Sequence, residues 1–296
     1  MKVWPTKTAE FEESSETSKM MMYKKSITMA SSQLIRRMGV VAVGAGMYVG
    51  ATVLAFQYMT SGQEEQEEAQ SVLVQRAGFS FVANPSRNEQ YQHVAHCYDD
   101  HIGRDEAYMG INLLRRMILY FHSKGTVLEV GAGTGRNIPY YPSSVNRVLL
   151  TDMSDQMLLR AQQKLAKLSP EKRSGFACVE ADAQKLDFPD GYFDTVVDTF
   201  GLCSYNDPVL VLNEMGRVCK PTGKVLLLEH GRSKTWNSIT KYLDRNAERH
   251  AKNWGCVWNR DLDDVIEKSD LQVDRVDTWH FGTTYYVVAR PKQQVV

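Results

Sequence analysis

The sequence predicts an α/β fold: a Rossmann-like, mostly parallel sheet with helices on both faces and an antiparallel last strand. Three observations predict it. From about residue 110, short apolar strands alternate with amphipathic helices. The first strand runs into a glycine-rich turn, Gly131-Ala132-Gly133-Thr134-Gly135. The composition is that of a globular protein, 43% hydrophobic and 24% charged over 296 residues, which excludes a disordered, collagen-like or polytopic membrane chain. Thirty-five Lys and Arg balance 35 Asp and Glu, without the basic excess of a nucleic-acid binder.

The elements follow in order. Ile111, Leu114, Met117, Ile118 and Phe121 recur at helical spacing, which makes 111–121 a helix. Residues 127–130 form the first strand and 147–151 the second. A helix over 154–168 starts at the N-cap Ser154. Residues 176–180 and 193–198 are the third and fourth strands, and 208–218 is a helix. Pro221-Thr222-Gly223 reads as a turn into a strand at 224–229. A helix at 262–268 precedes strands at 273–277 and 285–290, which lie too close for a helical crossover and are expected to pair antiparallel. Asn and Pro make 84–88 a loop.

The N-terminal part differs. Residues 38–59 carry no charge, and as a helix they would extend about 33 Å, enough to cross a hydrocarbon core of about 30 Å. Arg36-Arg37 precedes this span, and Glu64, Glu65, Glu67 and Glu68 follow it, which orients the N-terminus to the cytosolic or matrix side. Residues 20–37 contain no acid and resemble a mitochondrial presequence in composition, although Glu10, Glu12, Glu13 and Glu16 precede them. The expected organisation is a tail (1–37), a transmembrane helix (38–59), a stalk and linker (60–90) and the globular domain (91–296).

The chemistry is expected at the carboxyl ends of the strands. Glycines at a strand-to-helix turn let a ligand approach the backbone. The spacing here is GxGxG, and Glu129 stands two residues before the first glycine, where it suits a cationic ligand group better than a pyrophosphate. Asp152 ends the second strand, placed to accept both hydroxyls of a ribose. Met153 is placed to pack on a base and Asp182 to accept from an exocyclic amine.

The ordered series LEVGAGTGRN, TDMS, EADAQKLDF, FDTVVDTFGLCS and MGRVCKPTGKVLLLEHGRS resembles the class I S-adenosylmethionine-dependent methyltransferases over about residues 110–290. Tyr98-Asp99, Asp105-Glu106, Gly110-Ile111, Leu114-Arg115-Arg116 and Leu228-Glu229-His230-Gly231-Arg232 resemble, more narrowly, the methyltransferase-like 7 proteins and a fungal-type membrane-anchored mitochondrial methyltransferase. The ubiquinone/menaquinone methyltransferases share the core. The resemblance implies a seven-stranded sheet with S-adenosylmethionine across the carboxyl ends of strands one to four. It implies that Glu129, Gly131 and Gly133 hold the methionine part, that Asp152 holds the ribose, that Met153, Asp182 and Ala183 border the adenine, and that Ala132 and Gly135 also belong to the cofactor site.

The implied function is methyl transfer to a small, lipophilic acceptor at a membrane. A non-catalytic mitochondrial assembly factor that kept the fold is the alternative. The acid-free stretch and the resemblance point to the mitochondrial inner membrane with the domain facing the intermembrane space; the endoplasmic reticulum is the rival membrane.

The remaining candidates concern the acceptor. His230 ends the fifth strand on the acceptor side and is the candidate catalytic base. His93, His96 and Cys97 stand at helical spacing with His101 nearby, but a cap helix is expected there and no metal, since such methyltransferases need none. The five cysteines, Cys97, Cys178, Cys203, Cys219 and Cys256, are odd in number and form no CxxC pair, which argues against a disulfide framework or zinc finger. Cys203 is expected to be a buried, inert thiol. The stretch 234–259, with Trp236, Tyr242, Trp254 and Trp258, is expected to form an amphipathic helix, either packed on the sheet or serving as a lid for an apolar acceptor.

Overall fold

The computed structural model describes residues 87–292. The expected tail, the apolar span and nearly all of the stalk and linker lie outside the described residues. Among the described residues, no helix is long and apolar enough to cross a membrane.

The elements in chain order are α1 (Arg87–Val94), α2 (Tyr98–Tyr108), α3 (Ile111–His122), β1 (Gly125–Val130), β2 (Val145–Asp152), α4 (Asp155–Ala166), α5 (Pro170–Arg173), β3 (Phe176–Glu180), β4 (Phe193–Thr199), α6 (Pro208–Val218), β5 (Cys219–His230), α7 (Asn237–Trp254), α8 (Leu262–Glu267), β6 (Leu271–Trp279) and β7 (Thr284–Pro291). One seven-stranded sheet has the order β3-β2-β1-β4-β5-β7-β6. β1 to β5 are parallel, and β7 runs antiparallel between β5 and β6, as the short last connection requires. After β3 the chain returns to the other side of β1, so the order reverses between β1 and β4. Such a switch point is where open α/β sheets receive ligands, at the carboxyl ends of the strands.

Consecutive strand residues go to opposite faces. Leu128, Val196 and Leu227 pack with Leu212, Met215 and Leu262 on one side. Val127, Val197, Leu226 and Leu228 pack with Ile118, Leu119 and Leu150 on the other. Burial on both faces is why the strands read as continuous apolar runs.

Two sequence expectations are corrected. Pro221-Thr222-Gly223 is not a turn before the fifth strand but lies inside β5. Phe193 pairs with Cys219 and Thr195 with Lys224, so residues 220–223 bulge out of the ladder, where the missing N–H of Pro221 costs no pairing. The loop and linker expected up to residue 90 give way at Arg87 to α1. This polar helix (RNEQYQHV) has no apolar stripe to announce it. Its neighbours hold it instead: Gln90 Nε2 donates to Lys252 O, Tyr91 shares a hydrogen bond with Ser204, and Gln92 Oε1 accepts from Ser154 Oγ.

Candidate active site

The glycine turn leaves β1 with Gly131 and Gly133 at φ of 56° and 53°, a region that L side chains rarely enter. A Cβ on Gly131 would stand 2.4 Å from the Tyr205 hydroxyl, whereas one on Gly133 would meet nothing within 4 Å. Gly133 therefore presents bare backbone to open space. The turn is pinned to β2, with Ala132 N donating to Thr151 O (2.9 Å) and Gly133 N to Asp152 Oδ2 (2.8 Å). Ser154 N donates to Asp152 Oδ1 at 2.9 Å, so each Asp152 oxygen accepts one backbone N–H and keeps a lone pair for a further donor. Burial raises the Asp152 pKa against these backbone donors. Ala181 N donates to Asp152 O, which ties the turn after β3 to the same edge, and Asp182 Oδ1 caps that turn by accepting from Gln184 N. Ala183 is buried, and Met153 stands half exposed at the mouth.

Glu129, near the end of β1, is 1% exposed. Its carboxylate accepts from Tyr141 Oη (2.5 Å) and Asn137 Nδ2 (3.1 Å). Burial pushes its pKa up to about 7, against the pull of the Tyr141 hydrogen bond and the Arg115 charge. A buried carboxyl poised near neutrality suits a cationic ligand, whose arrival favours the ionised form.

An ion network holds a cap over this turn. Arg115, 3% exposed, grips Glu106 of α2 through two nitrogens (3.2 and 2.7 Å) and reaches Asn137 Oδ1 (3.0 Å) and Thr199 Oγ1 (2.7 Å). Arg136 binds Glu106 and Asp99, and Lys164 binds Asp99. Asp99 also accepts from Thr134 Oγ1 of the turn itself. The pre-core motif Tyr98–Arg116 is thereby accounted for: it fastens α2 and α3 to the glycine turn.

The edge formed by β4 and β5 is different. Phe200 adopts φ of 60°, an uncommon state for a bulky residue, with its ring 4.9 Å from the Arg115 guanidinium and 5.4 Å from the His230 ring. Burial raises the pKa values of Asp198 and Glu229 well above the carboxylate range. His230 Nε2 lies 2.9 Å from Cys256 Sγ. Cys203 completes a triangle with them, all three ligand-type atoms within 4.8 Å of one another. The hydrogen bond from Cys256, outweighing burial, holds the Cys203 thiol well below its ordinary range. Around this triangle Val257 N donates to Cys203 O, Trp254 packs edge-on to His101, and His250 stacks on Trp258 at 3.9 Å. Burial and the nearby His230 take the His250 pKa down to about 3.

The structure thus gathers Glu129, Gly131, Ala132, Gly133, Gly135 and Asp152 at one strand edge, with Asp182 and Ala183 on the adjoining turn. His230 sits at the neighbouring edge. His93, His96 and Cys97 do not form a ligand set: His96 Nδ1 and Cys97 Sγ turn to the backbone carbonyls of His93 and Val94. Cys203 is buried as expected but is not isolated. The sequence reading missed Tyr141, Thr199 and Cys256. Trp236 packs on Phe281 rather than joining Trp254 and Trp258.

A family model described as a methyltransferase domain matches residues 128–227. With the sheet order and the glycine turn, this makes the described unit a class I S-adenosylmethionine-dependent methyltransferase domain. Among individual relatives, the chain is 37% identical over 220 residues to the mitochondrial methyltransferase OMS1 of Saccharomyces cerevisiae, covering 69% of this chain and 46% of that one. It is 36% identical over 123 residues to the ubiquinone/menaquinone biosynthesis C-methyltransferase UbiE of Burkholderia mallei, covering 40% and 48%. The chain thus spans about half the length of these relatives. A solved Leishmania major SAM-dependent methyltransferase shares the fold at a TM-score of 0.52 and 15% identity, over 68% of this chain and 81% of that one.

Proposed function

We propose that the protein transfers the methyl group of S-adenosylmethionine to a small, lipophilic acceptor. One observation carries this reading: a buried Glu129, an open Gly133 backbone and a partly buried Asp152 carboxylate meet at one edge of the sheet. These residues fit the cofactor. Glu129 faces its cationic amino-acid end, Gly133 gives backbone access, Gly135 packs on Ile138 and Ala161 and keeps the turn tight, and Asp152 takes the ribose hydroxyls. Asp182, Ala183 and Met153 border the adenine. The bound cofactor supplies a sulfonium methyl open to in-line displacement.

The chain's own work is positioning. The Arg115–Glu106 pair fixes the cap, and Phe200 and His230 border the acceptor side. His230 is the group there that can take a proton from an acceptor of high pKa. The aromatic surround of Trp254, Trp258 and Tyr91 supports an apolar acceptor.

The charge-free segment 38–59 supports a single membrane anchor. The acid-free stretch before it, together with the mitochondrial relative, supports the mitochondrial inner membrane with the domain toward the intermembrane space. The test is turnover of a methyl-labelled donor with a membrane lipid extract, beside calorimetric titration of S-adenosylmethionine and NADH. Saturable binding of the first alone, with label entering the organic phase, is expected. Cofactor binding with no transfer would favour the non-catalytic alternative; no binding at all would overturn the reading.

A further inference from the structure

We propose that Cys203, His230 and Cys256 form a binding site for one zinc ion with an open fourth position. The three donors come from three places in the chain: the turn after β4, the last residue of β5, and the turn that follows α7. Their ligand atoms all lie within 4.8 Å of one another. With Zn–S near 2.3 Å and Zn–N near 2.0–2.1 Å, tetrahedral ligand atoms stand about 3.5–3.8 Å apart. The His230–Cys256 pair at 2.9 Å opens by about 0.6 Å to admit the ion, a shift within reach of side-chain torsions.

The donor chemistry selects the metal. Two thiolates and an imidazole are borderline-soft ligands that suit zinc and exclude magnesium or calcium, which take oxygen. Two thiolates also cancel the charge of a divalent ion, so the bound cluster is neutral in a pocket where Cys203 and Cys256 are 2% and 5% exposed. On binding, both thiols release their protons to solvent and His230 ligates as neutral imidazole.

The mounting is rigid. Val257 N donates to Cys203 O at 2.9 Å, and Gly255, in the left-handed conformation, ends α7 directly before Cys256. All five cysteines are free thiols, Cys203 and Cys256 included.

Three protein ligands and one vacant position mark a catalytic rather than a structural zinc. At the carboxyl ends of β4 and β5, that position would coordinate a hydroxyl, thiol or water and lower its pKa, so that with zinc bound the metal replaces His230, then a ligand, in activating the acceptor. This last step rests on the methyl-transfer reading; the binding of metal does not.

The test uses the full chain purified without chelator, with neither methyl donor nor acceptor present, so its outcome is independent of methyl transfer. Zinc is measured by elemental analysis, and cobalt(II) is titrated into the zinc-free protein. Expected are about one zinc per chain and, with cobalt, tetrahedral d–d bands with thiolate-to-metal charge transfer. Cys203→Ser, His230→Gln and Cys256→Ser should each lower zinc content at least about tenfold, while Cys97→Ser and Cys178→Ser leave it unchanged. Circular dichroism identifies variants that fail to fold, and the cobalt spectrum of the unmutated chain then decides. Absence of the thiolate–cobalt bands, zinc retained in folded Cys203→Ser and Cys256→Ser, or a Cys203–Cys256 disulfide trapped by alkylation in cells would each overturn the proposal.

Discussion

The two halves of the strand edge are built on different chemistry. At β1 and β2 the carboxylates of Glu129 and Asp152 accept hydrogen bonds, and the ion pairs of Asp99, Glu106, Arg115, Arg136 and Lys164 surround the glycine turn. At β4 and β5 the acids Asp198 and Glu229 are held toward their neutral forms by burial, and the reactive groups are two thiols and an imidazole amid aromatic rings. One half is arranged for a charged, polar ligand of fixed identity. The other keeps charge low, as the apolar acceptor proposed above requires. On the function proposed above, the contrast teaches that the cofactor is specified through backbone and carboxylates near the chain's first strands, and acceptor choice is left to side chains brought together from far apart.

The largest expected effect breaks the charged half. Arg115→Met leaves Glu106 buried with Arg136 alone and removes the donors to Asn137 and Thr199. Loss of one partner of a buried pair typically costs about 3–5 kcal/mol, and the remaining Arg136 should hold the loss near the lower figure. Urea unfolding checks it. A second variant, Glu106→Gln, should restore part of the loss if the cost is the uncompensated charge. No change in midpoint for Arg115→Met would mean that the network does not hold the cap.

Next come Asp152→Ala and Gly133→Val, read by calorimetric titration of the cofactor. The first removes acceptors from bound hydroxyls, a loss of about 1.5–3 kcal/mol, or roughly ten- to a hundredfold in Kd. The second places a branched side chain at φ of 53° and into the open space proposed for the cofactor. Equal effects of these substitutions and of a variant at the β4–β5 edge would erase the division of labour.

That division also governs how much the sequence revealed. The half proposed to hold the cofactor was legible as a motif because its residues are nearly contiguous: Glu129 through Gly135 is one strand end and its turn, and Asp152 ends the next strand. Strand ends at a topological switch point face the crevice, so position in the alternation was enough. The same rule places Cys203 and His230 side by side, since β4 and β5 are neighbours, but it says nothing of Cys256, which follows a helix and not a strand. Thr199 was missed for a similar reason, as it bonds Arg115 and Asn137 far away in sequence, and Tyr141 because nothing in the β1–β2 connection signals that its hydroxyl turns back to Glu129. Pro221 was read as a turn because a single strand cannot display the bulge that accommodates it.

A smaller effect is a pH dependence confined to the cofactor half. Burial raises the pKa of Glu129 from an ordinary 4.5 to about 7, so the folded protein keeps this proton longer than the unfolded chain. The stability contribution of that group therefore falls as pH rises from about 4.5 through 7. Cofactor affinity should move the opposite way. A cationic ligand favours the carboxylate, so Kd should fall with rising pH, by up to about tenfold per unit below the midpoint, and Glu129→Gln should flatten the profile. Calorimetry between pH 5.5 and 8.5, roughly spanning the titration, measures it; affinity that weakens with rising pH would contradict the role assigned to Glu129.

The smallest effect sharpens that same residue. Tyr141→Phe removes the hydroxyl that donates to Glu129 Oε2 while keeping the ring, which packs edge-on to Phe176. That hydrogen bond favours the ionised carboxylate and acts against burial. Its loss should therefore raise the Glu129 pKa further, and the midpoint of the pH profile of Kd should move upward. A hydrogen bond to a charged group is worth about 1.5–3 kcal/mol, but Asn137 remains to donate to Oε1 and takes up part of the loss. A displacement of about one pH unit, roughly 1.4 kcal/mol, is the expected size. Well above the new midpoint Glu129 is ionised in both proteins, so their affinities should converge there. A merely structural role for Tyr141 would instead weaken binding equally at every pH, and a midpoint that stays in place or moves down would remove Tyr141 from the control of this carboxyl.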